Sequence, residues 1–402
     1  MIASHRKNFN DSFTEAKHLA YLTALNSHYP GALDFSVAET PIFIDKIFID
    51  KVLATGNYIT EQIQSPSFKK ITEASLQNQP NTPNEAALPN CIVMDFALAI
   101  NDNKEIVPAL IELQGFPSLF AFEVLQDECI RNTYSIPAGF SPFLNGYSKE
   151  KYLKHLEQVI KGDPYSHENK HTVLLEILPH QQKTRIDFYC TEDYLNVPIV
   201  CITEIFKEGT TLYYNRNEKK IKIDRIYNRV VLDELKNQTK SIQEQGAILQ
   251  SELNVEWVTH PNHFFRISKF LLPFLTHPFI PKTQFVHELP SIPTDLENYI
   301  LKPLFSFAGQ GVVIDIQPGD MEKLKDTTGW ILQEKVTYAN CIETPTGPAK
   351  AELRVFYFWD APTQQYIATM NLARLSKGKM IGVNYNKTAT WVGGSLAYIE
   401  SK

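Results

Sequence analysis

Cysteine is scarce in this 402-residue chain, and its five copies (Cys91, Cys129, Cys190, Cys201 and Cys341) never fall in a C-x-x-C spacing. An odd, scattered set excludes a disulfide framework and reads as reduced thiols in packed cores, with no zinc site expected. The chain also lacks the phosphate-loop pattern G-x-x-x-x-G-K-[ST], the G-x-S-x-G nucleophile elbow and the G-x-G-x-x-G dinucleotide fingerprint. Their absence removes the usual sequence routes to P-loop NTPases, serine hydrolases and dinucleotide enzymes. Positive charge is not in excess: 39 Lys and Arg face 45 Asp and Glu, for a net charge of −6. No basic surplus recommends nucleic acid as a partner. No apolar run approaches the roughly eighteen residues of a membrane helix, and the start MIASHRKNFNDSF has no apolar core of a signal peptide. A cytoplasmic protein with no membrane partner is therefore expected.

What is present is ordinary for a globular protein: 43% hydrophobic and 21% charged residues, with enough length for two or three cores. The clearest break is 77-QNQPNTPNEAALPN-90, which reads as a surface loop or linker after a mostly helical stretch over 12–63. A hairpin-like pair follows, 91-CIVMDFALAI-100 and 106-IVPALIELQG-115, with NDNKE at the turn. The next stretch, FPSLFAFEVLQDECIRNTY, suggests a helix capped by Ser118, and a charged surface helix is expected over 148–162. Strands at 172–178 and 197–202 around a helical 180–194 suggest a small parallel sheet. A polar hairpin over 210–231 and a helix near 233–249 complete that block. From 263 the order is helix, lysine-bearing strand, glycine loop, the strand WILQEKV, and a hairpin over 352–360 and 366–375.

One stretch of the C-terminal third poses a chemical question: 299-YILKPLFSFAGQGVVID-315 sets Lys302 on an apolar strand ahead of Ser306, Gly309 and Gly311. Glycine-rich loops can turn successive N–H groups onto phosphate oxygens, lysine adds a point charge, and arginine adds planar contacts. Lys269, Lys302, Arg354 and Arg374 supply such cations in order. Each alone reads equally well as a surface charge, and the glycines as a turn. Divalent metal would need hard oxygen donors. Glu112 and Gln114, two apart on one strand, leave the same face, and Asp95 lies on the paired strand. These too have a bland alternative, as solvent-facing polar residues at a strand end.

The ordered series RISKFLLPFL, LKPLFSFAGQGVV, ILQEKV, ELRVF and NLARL…VNYN…VGGSLA resembles the ATP-grasp enzymes. The acidic E-x-N element that such a chain would present last instead has its counterpart, IELQG, near the other end. That order is similar to the circularly permuted members, such as glutathionylspermidine synthetase, and IDRIYNR is similar to a strand of the glutathione synthetase pre-grasp domain. The resemblance covers roughly residues 91–130 and 172–400; residues 1–90 match nothing in it.

It implies an α/β protein of α+β character with four parts: a mostly helical region over 1–90, a permuted ATP-grasp segment over 91–170, a Rossmann-like pre-grasp domain over 171–261 and the nucleotide-binding domain over 262–402. It implies ATP and one or two Mg2+ ions as cofactors. Lys269, Lys302 and the Ser306, Gly309 and Gly311 loop would hold phosphates, and Gln333, Glu334 and Val336 would receive adenine. Asp95, Glu112 and Gln114 would carry metal, although Gln114 stands where the family has asparagine. Arg354, Arg374 and Asn386 (or Asn384), with Gly393–Gly394, would face the reacting groups, and Arg229 would contact substrate. Glu352 either orients Arg354 or is purely structural. The implied reaction joins a small-molecule or peptide carboxylate to an amine through an acyl phosphate. A phosphotransferase and a nucleotide-binding protein without turnover are the alternatives.

Overall fold

A strand that is apolar on both faces must be covered on both, and CIVMDFALAI meets that condition. In the computed structural model, which describes residues 1–162, 170–306, 309–381, 386 and 388–400, Cys91–Ile100 is an inner strand of a five-stranded antiparallel sheet. The order is Gly393–Ser395, Gln365–Ser376, Lys350–Asp360, Cys91–Ile100, Ile106–Gln114. Strands from positions near 100 and near 360 are thus direct neighbours. On one face Cys91, Val93, Phe356 and Phe358 pack under helices Phe122–Thr133 and Lys149–Lys161. On the other, Ile92, Met94, Val355 and Tyr357 meet helix Lys46–Gln64 through Phe48, Ile49, Val52 and Ile59.

A three-stranded antiparallel sheet, Thr283–Phe285, Trp330–Glu334 and Tyr299–Pro303, carries Lys302 and Gln333. A four-stranded, all-parallel sheet runs Glu256–Val258, Arg225–Asn228, Thr172–Glu176, Ile199–Cys201, as the α/β pattern over 172–202 suggests. Near the start of the chain, Ile42–Ile44 pairs in parallel with Ala397–Glu400, tying the two ends together.

Several local expectations change. Ser118 caps nothing; the helix begins at Phe122, and the Asp187 carboxylate accepts the Ala121 and Phe122 N–H groups at 2.9 and 3.0 Å. The 77–90 stretch is not a free linker. The Asn262 side chain accepts the Thr82 N–H at 3.0 Å, and Arg266 donates to Glu85 at 2.8 Å. Ser148 caps its helix through the Lys151 N–H at 3.2 Å, and that helix lies at the surface as expected, with Glu150, Lys151 and Lys154 exposed while its inner face buries Tyr152, Leu156, Val159 and Ile160. The helix expected through Lys269 ends at Arg266, and Lys269 opens a separate 3₁₀ turn containing Pro273, whose ring prevents α-helical continuation. After the glycines, VVID (312–315), whose β-rich composition suggests a second strand, makes an isolated bridge, Val313 to Leu301. The helix near 233–249 is a seven-residue α-helix, Lys240–Gly246, between two 3₁₀ segments.

Candidate functional site

Register across the five-stranded sheet lines up charge. Asp95 lies opposite both Glu112 and Arg354, and Glu352 lies opposite Arg374. Side chains at these paired positions share one face. A bulge beside Asp95 inserts Ile111 as an extra residue, and the Ile111 carbonyl accepts from Lys302 Nζ at 3.2 Å. The three-stranded sheet is thereby tied to the five-stranded one through its lysine.

Between them opens a cleft of 340 Å³. Of the residues singled out by sequence, Glu112, Lys269, Lys302, Gly309, Gln333, Glu334, Val336 and Arg374 line it, and so does Glu352. Lys302 is buried, with its ammonium on Gln333 Oε1 at 2.6 Å. Burial, and secondarily the Lys269 charge, lower its pKa to about 8, while Glu112 and Glu352 act in the opposite direction. Lys269 donates to the Ser306 carbonyl at 2.6 Å and pairs with Glu112 at 2.8 Å. Gly309 and Gly311 have φ of +74° and +71°, which an L side chain rarely adopts. Ser306 and Gly311 themselves lie outside the lining, and Phe307 and Ala308 lie outside the described residues.

A second cavity of 190 Å³ shares Arg374 and Ile381 with the first and adds Arg354, Asn386, Gly393 and Gly394. The arginines are not bare. Arg354 forms a bidentate pair with Asp95, Nε to Oδ1 at 2.6 Å and Nη2 to Oδ2 at 2.7 Å, and donates to Ser118 Oγ at 3.2 Å. Arg374 Nη2 bridges Asp95 and Glu352, the latter at 2.7 Å, and the Tyr338 hydroxyl donates to Glu352 as well. Burial pushes Asp95 up, but the two guanidiniums outweigh it and hold the carboxyl below its ordinary range. Glu352 is pushed up by burial, and Asp95 adds to the rise while Arg374 offsets part of it. Arg374 is raised: burial acts to lower it, and the facing carboxylates of Asp95, Glu352 and Glu112 prevail.

Three expected roles do not match these placements. Asp95, Glu112 and Gln114 are not presented together as metal ligands. Both Asp95 oxygens are taken by guanidiniums, Glu112 pairs with Lys269, and Gln114 turns its amide nitrogen to the Phe116 carbonyl at 3.2 Å. Among the described residues no cluster of three His, Cys, Asp or Glu side chains suits a metal. As a donor set for Mg2+, which wants free carboxylate oxygens, these residues do not fit as arranged; Glu112 alone faces the cleft. Asn386 lines the second cavity but uses its amide oxygen to accept the Lys377 and Gly378 N–H groups, both at 3.0 Å, so it shapes a turn. Arg229 lines neither cavity. It is buried against the rings of Phe116 and Phe188 and donates to the Ser118 carbonyl at 2.7 Å, one residue's width from Arg354. Asn384 lies outside the described residues.

Other participants were missed. Tyr338, Lys350 and Lys379 line the cleft without belonging to a motif, and Phe35 and Ser36 bring the N-terminal region to the second cavity. The sequence also carries a metal signal: 167–171 reads HENKH, the H-E-x-x-H spacing that on a helix sets two imidazoles on one ion. Residues 163–169 lie outside the described ones; His171 immediately precedes strand Thr172–Glu176 and meets the Tyr214 hydroxyl at 2.9 Å.

Fold and cleft together define a mixed α/β protein built on several sheets. In particular, a glutathione synthetase-like effector (GSS30) from Globodera pallida, solved in its apo form, matches 97% of this chain and 98% of its own, with a TM-score of 0.60 and 10% sequence identity. At that identity the likeness is one of fold. No family model matches the chain, and no curated protein matches it.

Proposed function

We propose that this chain is an ATP-dependent carboxylate–amine ligase on a circularly permuted ATP-grasp fold, with the four-part division over 1–90, 91–170, 171–261 and 262–402. The observation that carries the reading is the 340 Å³ cleft, which joins two lysines and a positive-φ glycine loop to a strand-end hinge on one side and to a bridged arginine on the other. Its size lies within the range of small-molecule sites, about 300–1,000 Å³. Lys302 and Lys269 offset phosphate charge, and Gly309 lets main chain approach it. At the hinge, Val336 N–H has no main-chain partner among the described residues, which suits it to an adenine edge.

A carboxylate oxygen of the substrate attacks the γ-phosphorus of ATP, the bond to the β–γ bridging oxygen breaks, and ADP departs. The amine then displaces phosphate from the acyl phosphate and loses a proton. The chain contributes position and fixed positive charge rather than covalent chemistry. Arg374, which faces both cavities, stands where the carboxylate would meet the nucleotide; its removal is expected to lower kcat by about 10²–10³-fold.

A second reading has its own support. With Asp95 held by two guanidiniums, the protein suits nucleotide binding without turnover. Titration of ATP by calorimetry, followed by ADP release with mixed carboxylates and amines, tests both. Binding with amine-dependent ADP release supports the ligase, and amine-independent release supports a phosphotransferase. Binding without release supports the second reading. Absence of ATP binding overturns all three.

A further inference from the structure

The 190 Å³ cavity has a lining of unusual composition for a site that would receive an amino acid or peptide. Leu119, Leu372, Leu375, Ile381, Val392 and Phe35 form its walls, and the only charged side chains among its described lining residues are Arg354 and Arg374. Among the described residues no carboxylate faces it. Asp95 and Glu352 are turned to the guanidiniums rather than to the space. An ammonium group seated here would be buried without a counter-charge, which is costly. A carboxylate at the arginine end meets two planar guanidiniums, of which it would share Arg374 with Asp95 and Glu352.

The wall that closes this space comes from the N-terminal region. Gly394 N–H donates to the Ser36 carbonyl at 2.9 Å, and the Ala38 N–H donates to the Gly394 carbonyl at 2.9 Å. The approach is so close that a Cβ on Gly393 would lie 2.5 Å from the Ser36 oxygen. Phe35 is braced edge-on against Phe122, with ring centroids 5.4 Å apart.

We infer that the second cavity takes a monocarboxylate with an apolar body and no α-ammonium group, and that the 35–38 segment sets this preference. A dry cavity of about 150 Å³ accommodates a benzene ring, so 190 Å³ suits a body of similar size. The inference rests on the reading of Arg374 as the place where a substrate carboxylate meets the nucleotide.

The test is calorimetric titration of hexanoate and of norleucine, which differ only by the ammonium, with a separate titration of ATP. Hexanoate should bind about tenfold or more tightly than norleucine, because the latter buries an unpaired charge. Leu119→Asp should reverse that order, and Phe35→Asp, on a different segment, should do the same if the first variant does not fold. Equal binding of the two ligands, tighter norleucine, or no hexanoate binding overturns the inference. If ATP still binds in those cases, the nucleotide reading stands; if hexanoate binds and ATP does not, the pocket stands and the ligase reading falls.

Discussion

Lys302 makes the proposed nucleotide cleft sensitive to pH in a range where few side chains titrate. Its folded pKa of about 8 lies well below the ordinary 10.5, because burial disfavours the ammonium. With that value, about nine-tenths of the lysine is charged at pH 7 and about one-tenth at pH 9. If ATP selects the charged form, Kd should weaken about tenfold between those pH values, equivalent to about 1.4 kcal/mol. Calorimetric titration of ATP at half-unit steps from pH 7 to 9 measures it. Lys302→Arg supplies the control, since a guanidinium stays charged throughout and should flatten the curve. A wild-type Kd that is constant from pH 7 to 9, or a slope unchanged in Lys302→Arg, would refute the reasoning. Stability moves the other way. Between pH 8 and 10.5 the unfolded chain holds more protons at this position than the folded one, so the Lys302 contribution to stability rises through that window. The same lysine therefore weakens the apo fold at neutral pH while preparing it for an anion.

Other perturbations test the frame around the cleft. Asp95→Asn leaves Arg354 and Arg374 without their shared anion and should cost about 3–5 kcal/mol in chemical denaturation. In the parent protein, the stability that Asp95 contributes should persist at neutral pH and be lost as pH falls below the ordinary carboxylate range, because its folded pKa is depressed. Gly393→Ala combines a φ of +124° with a collision against the Ser36 carbonyl, and should lower the unfolding free energy in chemical denaturation by about 1–3 kcal/mol or detach the 35–38 segment; an unchanged unfolding free energy would contradict the packing. Tyr357→Phe removes a buried hydroxyl with no hydrogen-bond partner among the described residues, and thermal melting should show it neutral or about 1 kcal/mol more stable.

The pattern of apolar runs determined most elements here, because hydrophobic periodicity is local information. Cys91–Ile100, Ile106–Gln114 and Lys350–Asp360 follow directly from it. Cap chemistry was less legible. Ser148, not singled out by sequence, caps its helix by a purely local bond from the Lys151 N–H, whereas Ser118 yields to Asp187, a residue 66 positions from Ala121 that no local rule could supply. Motif order singled out Lys269, Lys302, Glu112 and Arg374 as cleft residues, since each sits at a strand end or turn beside a recognisable run. Sequence could not tell which charges would spend themselves on one another. Asp95 and Glu112 have the same valence and neighbouring strands. Yet Asp95 is sealed between two guanidiniums and Glu112 faces the cleft, because strand pairing across some 260 residues sets Arg354 beside one and not the other. The 35–38 segment likewise acquires its place only when Gly393 and Gly394 allow main chain to meet main chain. Charge and hydrophobicity are properties of residues, but pKa, free valence and pocket shape are properties of contacts, and only the tertiary structure decides those.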